Sequence, residues 1–386
     1  MKRTANSLSE EILTATQPLP ANAPAALEHL LQELDQEFPT YAEILAAARR
    51  NLPPEAWNFL EGGAGDEVTV GENRIAFQRL KFRPRLLTGV LTPSTATTVL
   101  GHTLSMPLLT APFGLDGVFH PDGHIAVARA NRRMGTMSIV PIAGTHRMEE
   151  FSEVGVPRLF QFHPMGSPGT VVELIRRAEG LGYSGFCVTL DCPVPGWRER
   201  QLRDKFTPPL SAVTGSTRLR DDEPVDDILA RIGMGSSELW TWRELEDVCR
   251  QSSLPFLFKG ITTRWDALRA VEAGASAILV SNHGGRHLDT LPPAIDQLEE
   301  VVAAVGPGIE VLLDSGVRRG ADIVKAIALG ARAVVIGRPA AAGIAAAGEA
   351  GAYRVLELLQ AEMVNVMTHL GSATVRDIRR DMVERR

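Results

Sequence analysis

From Met106 onward the chain repeats one unit: a short apolar run, a polar or glycine break, then apolar residues at helical spacing. The runs fall at Met106–Ala111, Thr136–Val140, Arg158–Phe162, Gly185–Leu190, Pro255–Lys259, Ala277–Val280, Glu310–Leu313 and Ala333–Ile336. A run that is apolar at nearly every position suits a strand buried on both faces. Helical patterns between such runs make the connections crossovers, so the strands lie parallel. Eight units of this kind predict an α/β fold, a closed (β/α)8 or TIM barrel. An open doubly wound sheet is the alternative, but no G-x-G-x-x-G follows the first run.

The pattern divides the chain into an N-terminal extension, residues 1–40, and a barrel over residues 41–386. Up to about Pro24 the extension is rich in Ser, Thr, Ala and Pro and is expected to be mobile. Ala25 to Phe38 carries apolar residues at helical spacing and predicts a short amphipathic helix, stopped by Pro39. Tyr41 to Phe82 reads as a helical lead-in interrupted by Glu61-Gly-Gly-Ala-Gly-Asp66. No strand precedes that glycine stretch, so it is expected to be a turn near the barrel mouth rather than a phosphate loop. The connection from about 192 to 254 is far longer than the others and includes the polar stretch Ser211 to Asp227. A connection of that length on the active-site side of a barrel predicts a lid.

Composition narrows the function. A hydrophobic content of 44% over 386 residues supports a large core, and a formal charge of −6 gives no electrostatic case for nucleic acid or an anionic membrane. Cys187, Cys192 and Cys249 form no C-x-x-C pair. That spacing argues against a disulfide framework or zinc site and for a reducing, cytoplasmic setting, with no metal expected. The residues after Met1-Lys-Arg are too polar for a signal-peptide core, and no apolar run is long enough for a membrane span.

The chemistry gathers where runs end. After Ala277–Val280 comes Ser281-Asn-His283-Gly-Gly-Arg286-His287-Leu-Asp289, a base and a cation separated by two glycines at one strand end. Asp314-Ser-Gly316-Val-Arg318-Arg-Gly320 and Gly337-Arg338-Pro follow the last two runs. Glycine amides, helix starts and arginines there make an anion site in the loops where barrels often bind phosphate. Lys259 closes an apolar run and is costly to bury without a partner charge. Asp191 closes another; a carboxylate there either caps a turn or pairs with His283 to orient it.

The block Ser281 to Asp289, with LPPEAWNFLEGGAGDE, ENRIAFQRLKFRPR and Phe-Lys-Gly, resembles the FMN-dependent 2-hydroxy-acid oxidase and dehydrogenase family, which includes glycolate oxidase, lactate oxidase and mandelate dehydrogenase. The resemblance runs from about Tyr41 to Arg376. It implies FMN as cofactor, with its phosphate held by Gly316, Arg318, Gly337 and Arg338 near Asp314. Its ring would meet Gln161, Thr189, Ser281 and Lys259, whose charge would stabilise the reduced form. His283, with Asp191, is implied as the catalytic base, and Arg286 with Arg198 in Gly-Trp-Arg-Glu as the clamp on a substrate carboxylate. The implied reaction turns a 2-hydroxy acid into a 2-oxo acid by hydride or carbanion chemistry. Oxygen or another acceptor reoxidises the flavin, and a homotetramer is expected from the relatives.

Departures from the family pattern cluster on the substrate side. Phe59 and His163 stand where the family has tyrosines, His287 stands for Gln, and Ser315 stands for Gly. Pro112-Phe113-Gly114 and Pro141-Ile142 replace other family turns. A larger or less polar substrate is expected. The alternatives are a different FMN reaction, such as oxidative decarboxylation, dehydrogenation or isomerisation, and a flavoprotein retained as a binding subunit.

Overall fold

A computed structural model describes residues 34–233 and 238–386. Most of the helix expected over Ala25–Phe38 lies outside these residues; its described end, 34–37, is helical. The lead-in forms three helices, Tyr41–Asn51, Pro54–Glu61 and Val68–Arg79, broken where the glycine stretch was read. Thr40 starts the first with a reciprocal capping box to Glu43, which satisfies amides that the helix itself leaves bare.

Eight parallel strands close the barrel: β1 (Leu108–Thr110), β2 (Met137–Val140), β3 (Arg158–Phe162), β4 (Gly185–Thr189), β5 (Phe256–Ile261), β6 (Ala277–Val280), β7 (Glu310–Leu313) and β8 (Ala333–Ile336). They pair in chain order, and β8 returns to β1 through Val334 opposite Leu108. The eight apolar runs are these strands, shifted by a residue or two at their ends. Two short hairpin-like pairings carried no such signal. Leu80–Phe82 pairs antiparallel with Val383–Arg385, and Thr97–Val99 pairs with His102–Leu104. Three-residue strands are too short to show a period.

Alternation along each strand sorts the core into two bodies. Leu109, Met137, Ile139, Leu159, Cys187, Leu257, Leu279, Leu312 and Val335 fill the barrel, with Val99 and Leu104 of the second hairpin packed beneath them. Their neighbours in sequence, among them Phe160, Phe186, Val188, Phe258, Ile278, Leu313 and Val334, face the surrounding helices. The successive-residue flip of a strand explains the division.

The long connection after β4 is structured through most of its described length. It holds helices at Glu199–Asp204, Val225–Ile232 and Trp242–Cys249. The polar stretch is partly interior: Thr214, Ser216 and Thr217 are buried, and Gly215 donates its N–H to Gly144 O. No described helix is long and apolar enough to cross a membrane.

The start of that connection lies against the loop after β6. A Cβ built on Gly196 would stand 2.1 Å from Arg286 O and 2.7 Å from His287 Cα. Gly196→Ala is therefore expected to push the two loops apart at a cost of about 1–3 kcal/mol. A lowered midpoint in thermal unfolding and a raised KM for the substrate are the readings to expect.

Candidate active site

In five of the eight strands the inward face changes character on its last step. Continuing the inward parity past Leu159, Cys187, Leu257, Leu279 and Leu312 leads to Gln161, Thr189, Lys259, Ser281 and Asp314. All five are buried, from 0% exposed for Ser281 to 7% for Asp314. An apolar interior is thus capped at its C-terminal end by one polar layer, the level at which barrels build their sites. Gln161 Nε2 donates to Thr189 Oγ1 at 3.0 Å and lies 3.2 Å from His163 Nε2.

Lys259 is the charge in this layer. Its ammonium stands 3.8 Å from Asp191 Oδ1, 3.9 Å from Asp314 Oδ2 and 3.1 Å from His283 Nδ1. Burial works against the charge, but Asp191 and Asp314 more than offset it, so its pKa is raised. A register shift between Lys259 and Ile261 lets β5 bulge here. Gly260, at φ +104°, makes the bulge, and any side chain on it would collide with Asp191. Asp191 is held strongly ionised: burial would raise its pKa, but Lys259 and then His283 overcome that and lower it.

His283 Nδ1 lies 3.0 Å from Asp191 Oδ1, so the pairing open in the sequence is made. Burial and the adjacent Lys259 depress the imidazole's pKa, against the pull of Asp191. The lowered pKa favours the neutral ring, the form that a general base requires. The residue adopts a left-handed backbone, φ +55°, which stores strain of about 1–3 kcal/mol for a side chain of this kind. Ser315, itself at φ +70°, holds that turn from both sides. Its hydroxyl accepts from Asn282 N at 3.3 Å and Gly284 N at 3.0 Å, and donates to Asp314 Oδ1 at 2.7 Å. The residue noted only as a departure from a glycine pattern is a brace for the base.

The glycine stretch of the lead-in does sit at the barrel mouth, where Ala64 N donates to Gly285 O at 2.8 Å. Its carbonyls anchor two arginines. Arg286 Nη1 donates to Phe59 O, Leu60 O and Gly62 O, while Arg338 donates to Leu60 O, Gly62 O and Gly284 O. Arg286 and Arg198 both lie over the Phe59 ring, 4.9 and 6.0 Å from its centre. Burial first, then Arg198 and Arg338, push the Arg286 pKa well down. Arg338 falls to about 10 through burial and the nearby Arg318. Crowded, half-buried guanidiniums are unfavourable unless an anion joins them. Arg198 Nε and Asp191 Oδ2 are also buried without a hydrogen-bond partner among the described residues, as groups completed by a ligand are.

The sequence model for FMN-dependent dehydrogenases matches residues 48–385. The chain belongs to the FMN-dependent dehydrogenase family. It is 40% identical to the L-lactate oxidase of Nostoc sp. (strain PCC 7120), over 86% of this chain and 94% of that protein. It is 40% identical to glycolate oxidase 5 of Oryza sativa subsp. japonica, over 90% and 96%. A crystal structure of mandelate oxidase, 37% identical, superposes with a TM-score of 0.83, covering 90% of this chain and 98% of that one.

This FMN-dependent dehydrogenase thus takes FMN as its cofactor, and the residues present fit it. The polar layer offers an amide, hydroxyls and an ammonium for a heteroaromatic ring. Beyond it, Arg318 and Arg338 flank the loops after β7 and β8. A Cβ on Gly337 would meet only Ala111, at 3.6 Å, and the helix Arg338–Leu370 begins there without a side-chain cap. An open backbone at an uncapped helix start suits a phosphate. Gly316 differs: at φ +99° it packs on Asn73, whose carbonyl would lie 2.3 Å from a Cβ. Its glycine is required by packing as well as by any ligand. Cys192, Asn73 and Asn282 were not singled out from the sequence. Asn73 and Asn282 bind each other side chain to side chain at 2.8 and 2.9 Å, a link across 209 residues that no local pattern signals.

Two outcomes follow from the charge cluster. Lys259→Met strands Asp191 and Asp314 and is expected to cost about 3–5 kcal/mol, read by denaturant unfolding. For pH, a base at His283 must be neutral to act, so kcat/KM is expected to fall as pH drops through its lowered pKa. Asp191 raises that pKa, so Asp191→Asn should move the acid limb to still lower pH while lowering kcat.

Proposed function

We propose that this enzyme oxidises a 2-hydroxy acid to the 2-oxo acid with His283 as base. The observation that carries the reading is the Asp191–His283 contact beside buried Lys259, at the rim where two arginines converge. Asp191 occupies Nδ1, which leaves Nε2 to take the substrate proton and stabilises the ring once it is charged. Arg198 and Arg286 bind the substrate carboxylate; the backbone bonds at Arg286 Nη1 fix the plane of that guanidinium. FMN, when bound, supplies the two-electron acceptor. Lys259, Gln161, Thr189 and Ser281 would hold its ring, and Gly316, Arg318, Gly337 and Arg338, with Asp314 nearby, would hold its phosphate. The segment from 192 to 254 covers the bound substrate, its first residues already resting on the β6 loop.

We further infer a substrate bulkier and less polar than lactate or glycolate. Phe59 stacks between Phe119 and Phe206, at 5.8 and 5.2 Å, which makes an apolar wall beside the arginines. Trp197 and Leu288 stand 71% and 63% exposed in the two loops that meet at the site. His163 offers a hydrogen bond without a negative charge; burial and His283 push its pKa down to about 4. Oxygen is the expected electron acceptor and a homotetramer the expected assembly, readable by peroxide production and by light scattering.

The test is anaerobic bleaching of the flavin spectrum by 2-hydroxy acids of increasing side-chain size. Bleaching that is fastest with aromatic or long aliphatic acids supports the reading, and no bleaching by any of them overturns it. His283→Asn should slow bleaching by about 10²–10⁴-fold while leaving bound flavin in place. A variant that bleaches at the wild-type rate would remove His283 from the role of base.

A further inference from the structure

We propose that Cys192, His283 and His287 form a site for a divalent transition-metal ion of the zinc class, and that filling it blocks oxidation. One ligand atom from each of the three residues lies within 4.8 Å of the others. A tetrahedral zinc ion, with bonds of about 2.3 Å to sulfur and 2.0–2.1 Å to nitrogen, places its ligands roughly 3.3–3.7 Å apart. Small side-chain rotations close that gap. A thiolate with two imidazoles selects zinc-like ions over magnesium or calcium, which demand oxygen.

The outer nitrogens of both rings are already placed as in metal sites. His283 Nδ1 is held by Asp191 Oδ1 at 3.0 Å, and His287 Nδ1 lies 3.2 Å from Val194 O. Both therefore present Nε2, the arrangement that carboxylate or carbonyl partners impose on ligating histidines. The rings stand edge to face with centres 4.2 Å apart. Burial and then Asp191 push the Cys192 thiol up to about 12, so the ion must displace its proton to solvent, and binding should strengthen as pH rises. Two positive charges oppose the ion: Lys259, 3.1 Å from His283 Nδ1, and Arg198, whose charge acts on both His287 and Cys192. Asp191 and Asp314 balance them, so the thiolate supplies the net negative charge at the site.

The consequence rests on the reading of His283 as base: an ion on its Nε2 takes the lone pair that accepts the substrate proton. Binding itself does not depend on that reading, so the two are measured separately. Zinc chloride is titrated calorimetrically into the holoenzyme, its Cys192→Ala variant and its His287→Gln variant, with magnesium chloride as control. Flavin content and circular dichroism confirm that each variant is folded. The expected result is one zinc per wild-type chain, at least tenfold weaker binding in each variant, and no magnesium binding. Zinc should also suppress substrate-driven bleaching, competitively with substrate and reversibly by EDTA. Absence of stoichiometric binding, or binding unchanged in both variants, overturns the site. Variant-sensitive binding with full bleaching overturns the block, and with it the placing of the ion on His283.

Discussion

A buried ammonium between two carboxylates organises the catalytic end of this barrel. Lys259 is 3% exposed, and a lone charge at that depth would be prohibitive. Asp191 and Asp314 make it tolerable, and each carboxylate then serves a second partner. Asp191 orients His283; Asp314 accepts from Ser315, whose hydroxyl holds the turn carrying His283. Charge balance and backbone strain are thus solved by the same few groups. The glycine bulge in β5 belongs to this arrangement, since it brings Lys259 and Asp191 together without a clash.

Around this constant centre the walls are adapted. Phe59 puts a ring where the family resemblance places a phenol, and it joins Phe119 and Phe206 rather than offering a hydroxyl. Arg198 and Arg286 remain on its face, so two guanidiniums persist while their surroundings turn apolar. His163, Cys192 and His287 gather on the other side, in contact with one another or with the base. Neutral imidazoles and a thiol keep polarity there without adding charge beside Lys259. For His287 burial is the main cause, with a pKa pushed down to about 2.

Much of this was legible before folding was considered. The strand runs are visible because both faces of a barrel strand are apolar, and Lys259, Asp191 and Asp314 are visible because charge interrupts those runs at their ends, whereas Gln161, Thr189 and Ser281 were marked by the family resemblance. The hairpin at Thr97–Leu104, which packs beneath the barrel interior, is too short to register. The burial of Thr214, Ser216 and Thr217 in the long connection was not legible, because buried polar residues leave no hydrophobic pattern.

The sequence by itself determined the barrel, the strand ends and the residue types available there, because those depend on local periodicity and on the cost of burying charge. It also determined the family, through the block Ser281 to Asp289 together with the lead-in segments and Phe-Lys-Gly. Only the tertiary structure decided which end-of-strand groups meet. Cysteine spacing spoke against a metal cluster, yet closing the barrel sets Cys192 beside His283 and His287, more than ninety positions away. Ser315 read as a lost glycine, and the fold makes it the brace of the base. Such pairings join strand ends around the closed rim, β4 with β6 and β6 with β7, where distance in space is set by barrel closure and not by separation along the chain.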